Sequence, residues 1–225
     1  VLTNLFHEHT MLETHLSATG IEIDSLLKGI WSQPTGGILT GRLESVRLEN
    51  NRLTSQGTMA IDIFDGSIDI IDPGVFWPGV SGPLTSIPVF FTNSRINDLG
   101  LEKMTAGTAF GKIQGILRGS ATDVEIVSGQ PQKFELRLET VPKKGVQQKI
   151  NLRAVESIAS LGGGGSPFVG LAGSFAKFFR EFPYWKIGIA ASLENDVFRV
   201  NGTITEDGKE YLVKKSGFSG AVGSD

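Results

Sequence analysis

The chain has no cysteine. That excludes disulfides, thiolate metal sites and a cysteine nucleophile, and leaves the redox compartment open. An excess of one charge is also missing: 21 Lys and Arg stand against 24 Asp and Glu, a net charge of −3, with no basic stripe and no acidic tail. Nucleic acid is therefore not expected as a partner. No apolar run reaches the roughly 18 residues that span a bilayer, and no basic start leads into an apolar signal segment. The chain begins at Val1 without methionine and is expected to be a segment of a longer protein. Only three histidines occur, His7, His9 and His15, and no Gly-x-Ser-x-Gly elbow or Gly-Lys-Ser/Thr phosphate loop follows the glycine-rich stretches. His7 and His9 share a strand face, but zinc needs a third ligand in fixed geometry. Asp62, Asp65, Asp69 and Asp72 lack the spacing of a calcium loop and more simply form turns and solvate an outer face. Neither a catalytic site, a cofactor nor a metal is expected, and the chain reads as non-enzymatic.

What the chain has in abundance is alternation. Residues 37–48 alternate apolar and polar, Asn50-Asn51 make a turn, and 53–63 run back with Met59, Ile61 and Ile63 on one face. Asp65-Gly66 reads as the next turn, and Asp72-Pro73-Gly74 as the end of the strand after it. The segment between Pro73 and Pro88 carries Pro78 and Pro83 as well and reads as a connector, with an extended piece at 87–92. The pattern resumes at 112–127, turns at Ser128-Gly129, and sets Phe134, Leu136 and Leu138 against Glu135, Arg137 and Glu139. Ile150-Leu152-Ala154 alternates in the same way. Further hairpins turn at Asn195-Asp196 and Asp207-Gly208.

One stretch breaks the pattern. Gly162, Gly163, Gly164 and Gly165 form a joint with little steric restriction, and Ser166-Pro167 reads as a helix start. Phe168, Leu171, Phe175, Phe178 and Phe182 then recur at steps of three or four, which predicts one amphipathic helix over about 167–182, stopped by Pro183. Its phenylalanine stripe packs as ordinary core, or covers an open sheet as a hinged lid, or touches a membrane with Lys177, Arg180 and Tyr184-Trp185 at the headgroups.

The predicted fold is mainly β: a long antiparallel meander curled into a U-shaped groove or open barrel, with that helix as a partial lid. A first repeat is expected at about 21–72, a connector at 73–95, a second repeat at about 96–154, hinge and helix at 161–183, and terminal hairpins at 184–215. The repeat rests on shared order: Gly37 to Gly41 beside Gly111 to Gly115, and Val46-Arg47-Leu48 beside Val124-Glu125-Ile126. One sheet face is wet and the other apolar, and an apolar face must be covered by a second sheet, by the helix, or by something outside the chain. A helix of about 15 residues spans about 22 Å, enough for four or five strands at nearly 5 Å each. Alternation places Ile61, Ile63, Phe134, Leu136, Leu138, Ile187, Ile189, Phe198 and Val200 on the apolar face, which a lipid or a partner from outside the chain would cover.

The last 110 or so residues carry a resemblance. Gly129-Gln130-Pro131, Leu193-Glu194-Asn195-Asp196-Val197-Phe198 and Gly208-Lys209-Glu210-Tyr211-Leu212-Val213 are its most distinctive pieces. The stretch resembles the carboxyl-terminal module of AsmA-like bacterial envelope proteins, which are similar to the repeating β-groove, bridge-like lipid transfer proteins. The resemblance implies a groove that shields phospholipid acyl chains, in a periplasmic protein held to the inner membrane by a segment outside this chain. It also implies an Asn-rich segment and a further helix after Gly217-Phe218-Ser219-Gly220, which this chain lacks. The alternative is a structural or interaction β-repeat that binds no ligand and pairs edge to edge with neighbouring repeats or a second copy.

Overall fold

Two-residue turns set the frame. Asn50-Asn51, Phe64-Asp65, Ser128-Gly129, Asn195-Asp196 and Asp207-Gly208 have positive φ at both positions, the backbone whose twist matches paired antiparallel strands. The computed structural model describes residues 2–3, 11–25, 34–78, 87–161 and 181–215. Within them run β1 (Leu2–Thr3), β2 (Met11–Glu22), β3 (Ile38–Glu49), β4 (Arg52–Ile63), β5 (Gly66–Phe76) and β6 (Val89–Gly100). After these come α1 (Leu101–Thr105), β7 (Ile113–Gln114), β8 (Ile116–Val127), β9 (Gln130–Val141), β10 (Lys149–Asn151) and α2 (Leu152–Leu161). The last elements are β11 (Glu181–Glu194), β12 (Val197–Gly202), β13 (Ile204–Glu206), β14 (Lys209–Tyr211) and β15 (Val213–Lys215).

The chain is mainly β. Neighbouring strands pair antiparallel in the order β1-β2-β3-β4-β5-β6-β8-β9-β11, and β11 then splits. Its second half pairs with β12, its first half with β10 and β15, and β7 lies beyond β10. The sheet does not close into a barrel: β2, with the short β1 beside it, is one margin and β12 the other.

Bulges keep one face apolar along the whole length of the strands. Ile68 and Ile70 face the core on β5, yet so does Val75; Leu117, Gly119 and Ala121 do so on β8, and then Ile126. On β5, β6 and β8 the change of parity coincides with a register shift and a left-handed aspartate: Asp72 (φ 48°), Asp98 (φ 52°) and Asp123 (φ 51°). Aspartate tolerates this region better than most residues and hydrogen-bonds locally. Asp72 Oδ1 accepts the Gly57 N–H at 2.8 Å, and the Asp123 N–H donates to Asn93 Oδ1 at 3.0 Å.

Four expectations need correction. Asp72-Pro73-Gly74 does not end its strand: the missing Pro73 N–H falls in the bulge, and β5 continues to Phe76 against Val89. The turn expected at Asp65-Gly66 sits one residue earlier, because Gly66 pairs with Ile63 and a side chain there would stand 2.3 Å from the Asn97 carbonyl oxygen. Ile150-Leu152-Ala154 is not a strand: from Leu152 the chain is helical, its start capped by Asn151 Oδ1, which accepts the Ala154 N–H at 2.9 Å. Phe182 and Pro183 belong to β11, opposite Ile150 and Lys149; extended pairing to β10 fixes them there. The hinge Gly162–Gly165 and the lid positions Phe168, Leu171, Phe175 and Phe178 lie outside the described residues.

The main core sits at one end of the strands. Ile63, Leu99, Leu117 and Ile187 are buried there with Ile23, Leu101, Ile113, Ile150, Tyr184 and the α2 residues Ala154, Val155 and Ile158. Connections at 101–115 and 142–161 supply α1, β7, β10 and α2 to that end. Gly111 (φ +107°) lets the start of α2 approach, since a side chain at 111 would stand 2.5 Å from the Ala154 nitrogen.

Candidate functional site

The register builds continuous apolar rows across the sheet. One runs Ile21, Leu39, Ile61, Ile68, Ile96, Gly119, Leu138, Ile189, Gly202, each residue opposite the next. The row beside it runs Ala18, Gly41, Met59, Ile70, Ser94, Ala121, Leu136, Ala191, Val200. Side chains directly opposite in an antiparallel sheet share a face. A row of the other face reads Thr40, Ala60, Asp69, Arg95, Ser120, Arg137, Ala190, Asn201, and its polar character confirms the assignment.

All nine residues named for the apolar face lie on it. Ile61, Leu138 and Ile189 are in the first row, Leu136 and Val200 in the second, and Phe134 and Phe198 flank Leu193 one level further along. The two phenylalanine rings meet edge to face with centroids 6.3 Å apart. Ile63 and Ile187 lie at the covered end, already buried in the core. The nine therefore do not share one environment: Ile61, Leu136, Leu138, Ile189 and Val200 are half-buried, whereas Phe198 is 53% exposed. Sequence reasoning missed Leu39, Ile68, Ile96 and Ile70, which continue the rows through β3, β5 and β6; the alternation that found the others marks these too.

At the covered end the face is stopped by polar groups. The buried Tyr184 hydroxyl donates to the Gln114 carbonyl oxygen at 2.8 Å, and burial pushes its pKa up to about 12. Gly115 (φ +145°) must be glycine here, because a side chain would meet that hydroxyl at 2.1 Å. Buried Thr140 Oγ1 accepts the Ile187 N–H at 2.9 Å.

The polar face is laced with ion pairs. Glu139 bonds Lys186 at 2.8 Å and Arg137 at 2.8 Å, and the Lys186 ammonium holds its carboxyl below the ordinary value against the opposing effect of burial. Asp98 pairs with Arg118 and Lys143, and the Arg118 hydrogen bond lowers its pKa likewise. Depressions of about 380 and 660 Å³ lie mainly on this face. In the second, the Arg52 guanidinium stands 4.2 Å from the centre of the Phe91 ring, and that ring lies where a side chain at Gly74 would be.

The acidic residues weighed as metal ligands are dispersed. Asp65 pairs with Lys103 at 2.6 Å and Asp69 accepts from Asn97 Nδ2 at 3.0 Å. Among the described residues no three His, Asp or Glu gather where they could hold a metal ion. His7 and His9 lie outside those residues, and His15 is exposed on β2. No described helix is long and apolar enough to cross a membrane. No protein-family model matches the chain, and no curated protein or solved structure matches it.

Proposed function

We propose that the chain is a non-enzymatic lipid-binding or lipid-transfer module of a bacterial cell-envelope protein, whose apolar groove shields phospholipid acyl chains between membranes. The observation that carries this reading is the pair of rows from β2 to β12, apolar or glycine at every position but Ser94. Eight strand steps of about 4.8 Å make such a path about 38 Å long, and along it Ile70, Leu136 and Val200 are only half-buried. The motifs at Gly129-Gln130-Pro131 and Leu193–Phe198 add the AsmA-like resemblance, and with it a periplasmic location and an inner-membrane anchor supplied by another segment.

Native mass spectrometry of protein purified gently from bacteria tests this: phospholipid should co-purify, and its absence from every preparation sinks the idea. Leu136→Glu places a charge on the apolar face, whereas Glu135→Gln alters the polar one opposite Ser192. The first should lower lipid recovery and the second should not; equal effects would rule out the groove.

A second reading has its own observation. Leu16 (51%) and Ile21 (46%) on β2 and Val197 (45%) on β12 are exposed at the two margins, where an unpaired strand is a template for another. A structural β-repeat that associates edge to edge, without ligand, accounts for them. Concentration-dependent dimers in sedimentation of lipid-free protein would favour it.

A further inference from the structure

The corner around Trp185 belongs to neither reading. Trp185 is the extra residue of a bulge in β11: Tyr184 stands opposite Lys215 and Lys186 opposite Lys214, so Trp185 has no counterpart on β15. The bulge buries Tyr184 and Ile187 on the core side and turns Trp185 and Lys186 both outward. Trp185 is 58% exposed, which is unusual for the largest apolar side chain, and the Lys214 ammonium stands 5.4 Å from its ring centre.

The surroundings are basic. Lys149 lies opposite Pro183 on the same outward face, and Gln148 Nε2 donates to the Trp185 carbonyl oxygen at 3.0 Å, tying the 143–148 loop to the corner. That loop carries Lys144 and an exposed Val146. The acidic groups here are engaged: Glu139 with Lys186, Glu206 with Lys214, Asp98 with Lys143. Lys144 and Lys149 make no ion pair among the described residues. In a chain whose net charge is −3, one corner thus combines unpaired lysines with an exposed indole.

We infer that this corner docks on an anionic phospholipid membrane surface, with Trp185 and Val146 entering the headgroup layer and Lys144 and Lys149 facing lipid phosphates. Tryptophan settles at the membrane–water boundary because one part of its ring system is apolar and its N–H is polar. Each lysine near such a surface strengthens partition about fivefold, and salt weakens it. The site is on the outer face and does not depend on acyl chains entering the groove.

Flotation with vesicles of phosphatidylglycerol mixed into phosphatidylcholine tests it, against phosphatidylcholine alone. The protein should float with the anionic vesicles, lose that binding in high salt, and show Trp185 emission shifted to the blue. Lys144→Gln and Lys149→Gln together should reduce binding about twentyfold, and Trp185→Ala should reduce it with both lysines in place. Equal binding to neutral vesicles, no binding, or binding indifferent to these substitutions would overturn the inference. So would a dimer that Trp185→Ala dissolves, because the indole would then meet a second copy. Co-purified lipid that persists in Trp185→Ala separates this corner from the groove; its loss would show that they are one site.

Discussion

The two ends of the strands are made of the same residue types and end in different states. At one end, Ile63, Leu99, Leu117 and Ile187 are buried; at the other, Leu53, Val75 and Ile126 are half-buried and Phe90 is 49% exposed. Residue choice does not explain this; the connections do. The exposed end has two-residue turns at Asn50-Asn51, Ser128-Gly129 and Asn195-Asp196, which have nothing to fold back. The buried end receives 101–115 and 142–161, which return α1, β7, β10 and α2 over the sheet. The cover comes from the elements carried in these two connections, which the tight hairpins at Asn50-Asn51, Ser128-Gly129 and Asn195-Asp196 do not have.

The strongest way to break that comparison is paired truncation. Ile158→Ala removes a side chain only 2% exposed and should cost about 2–5 kcal/mol. Phe198→Ala, at the bare end, should stay near 0.5 kcal/mol in denaturant midpoints. Equal losses would mean that the bare end is covered after all. Next in size is Gly115→Ala, which meets both a disfavoured φ and the Tyr184 hydroxyl and should cost about 1–3 kcal/mol. Tyr184→Phe in the same chain should restore part of this, and strict additivity would disprove the contact.

Tyr184→Phe alone should cost about 1 kcal/mol, from the lost bond and the unpaired Gln114 carbonyl. It also sharpens the comparison through pH. Folding raises this phenol to about 12, so its contribution is complete below the unfolded value of about 10 and declines as pH rises towards 12. The wild type should lose more stability than Tyr184→Phe in that window. The smallest effect belongs to Glu139→Gln. Its carboxyl is held low by Lys186, so its contribution is present above the unfolded value and is lost as acid protonates the folded form. The pair is partly solvated, so at neutral pH the change should be under about 1 kcal/mol, with a shallower acid limb in urea titrations.

The faces and most turns were legible because alternation and left-handed Asn, Asp and Gly are local signals. Leu136 against Glu135 needs only a period of two. What was not legible was set by distant partners. Ile150-Leu152-Ala154, which alternates like a strand for three steps, spans the end of β10 and the start of α2. The helix signal was there, in Leu152, Val155 and Ile158 three apart behind Asn151, but a strand reading fits the same first residues. Phe182 was counted with the phenylalanine stripe because its spacing continues, yet pairing with Ile150 decides its conformation. Asp72-Pro73-Gly74 has the composition of a turn, and only strands on both sides of β5 make it a bulge.

Those bulges also decide which changes of chain length the fold tolerates. Each aspartate is a counted residue that resets the phase of its strand, so its presence matters more than its chemistry. Asp123→Gly or Asp123→Asn keeps the count and the left-handed backbone. Deleting Asp123 instead would send Ile126 to the polar side, or drag Gly119 and Ala121 there. Circular dichroism melts of the substitution and the deletion should differ far more than two single-residue changes ordinarily do. Sequences that keep this sheet can drift in letters at these positions but not in length.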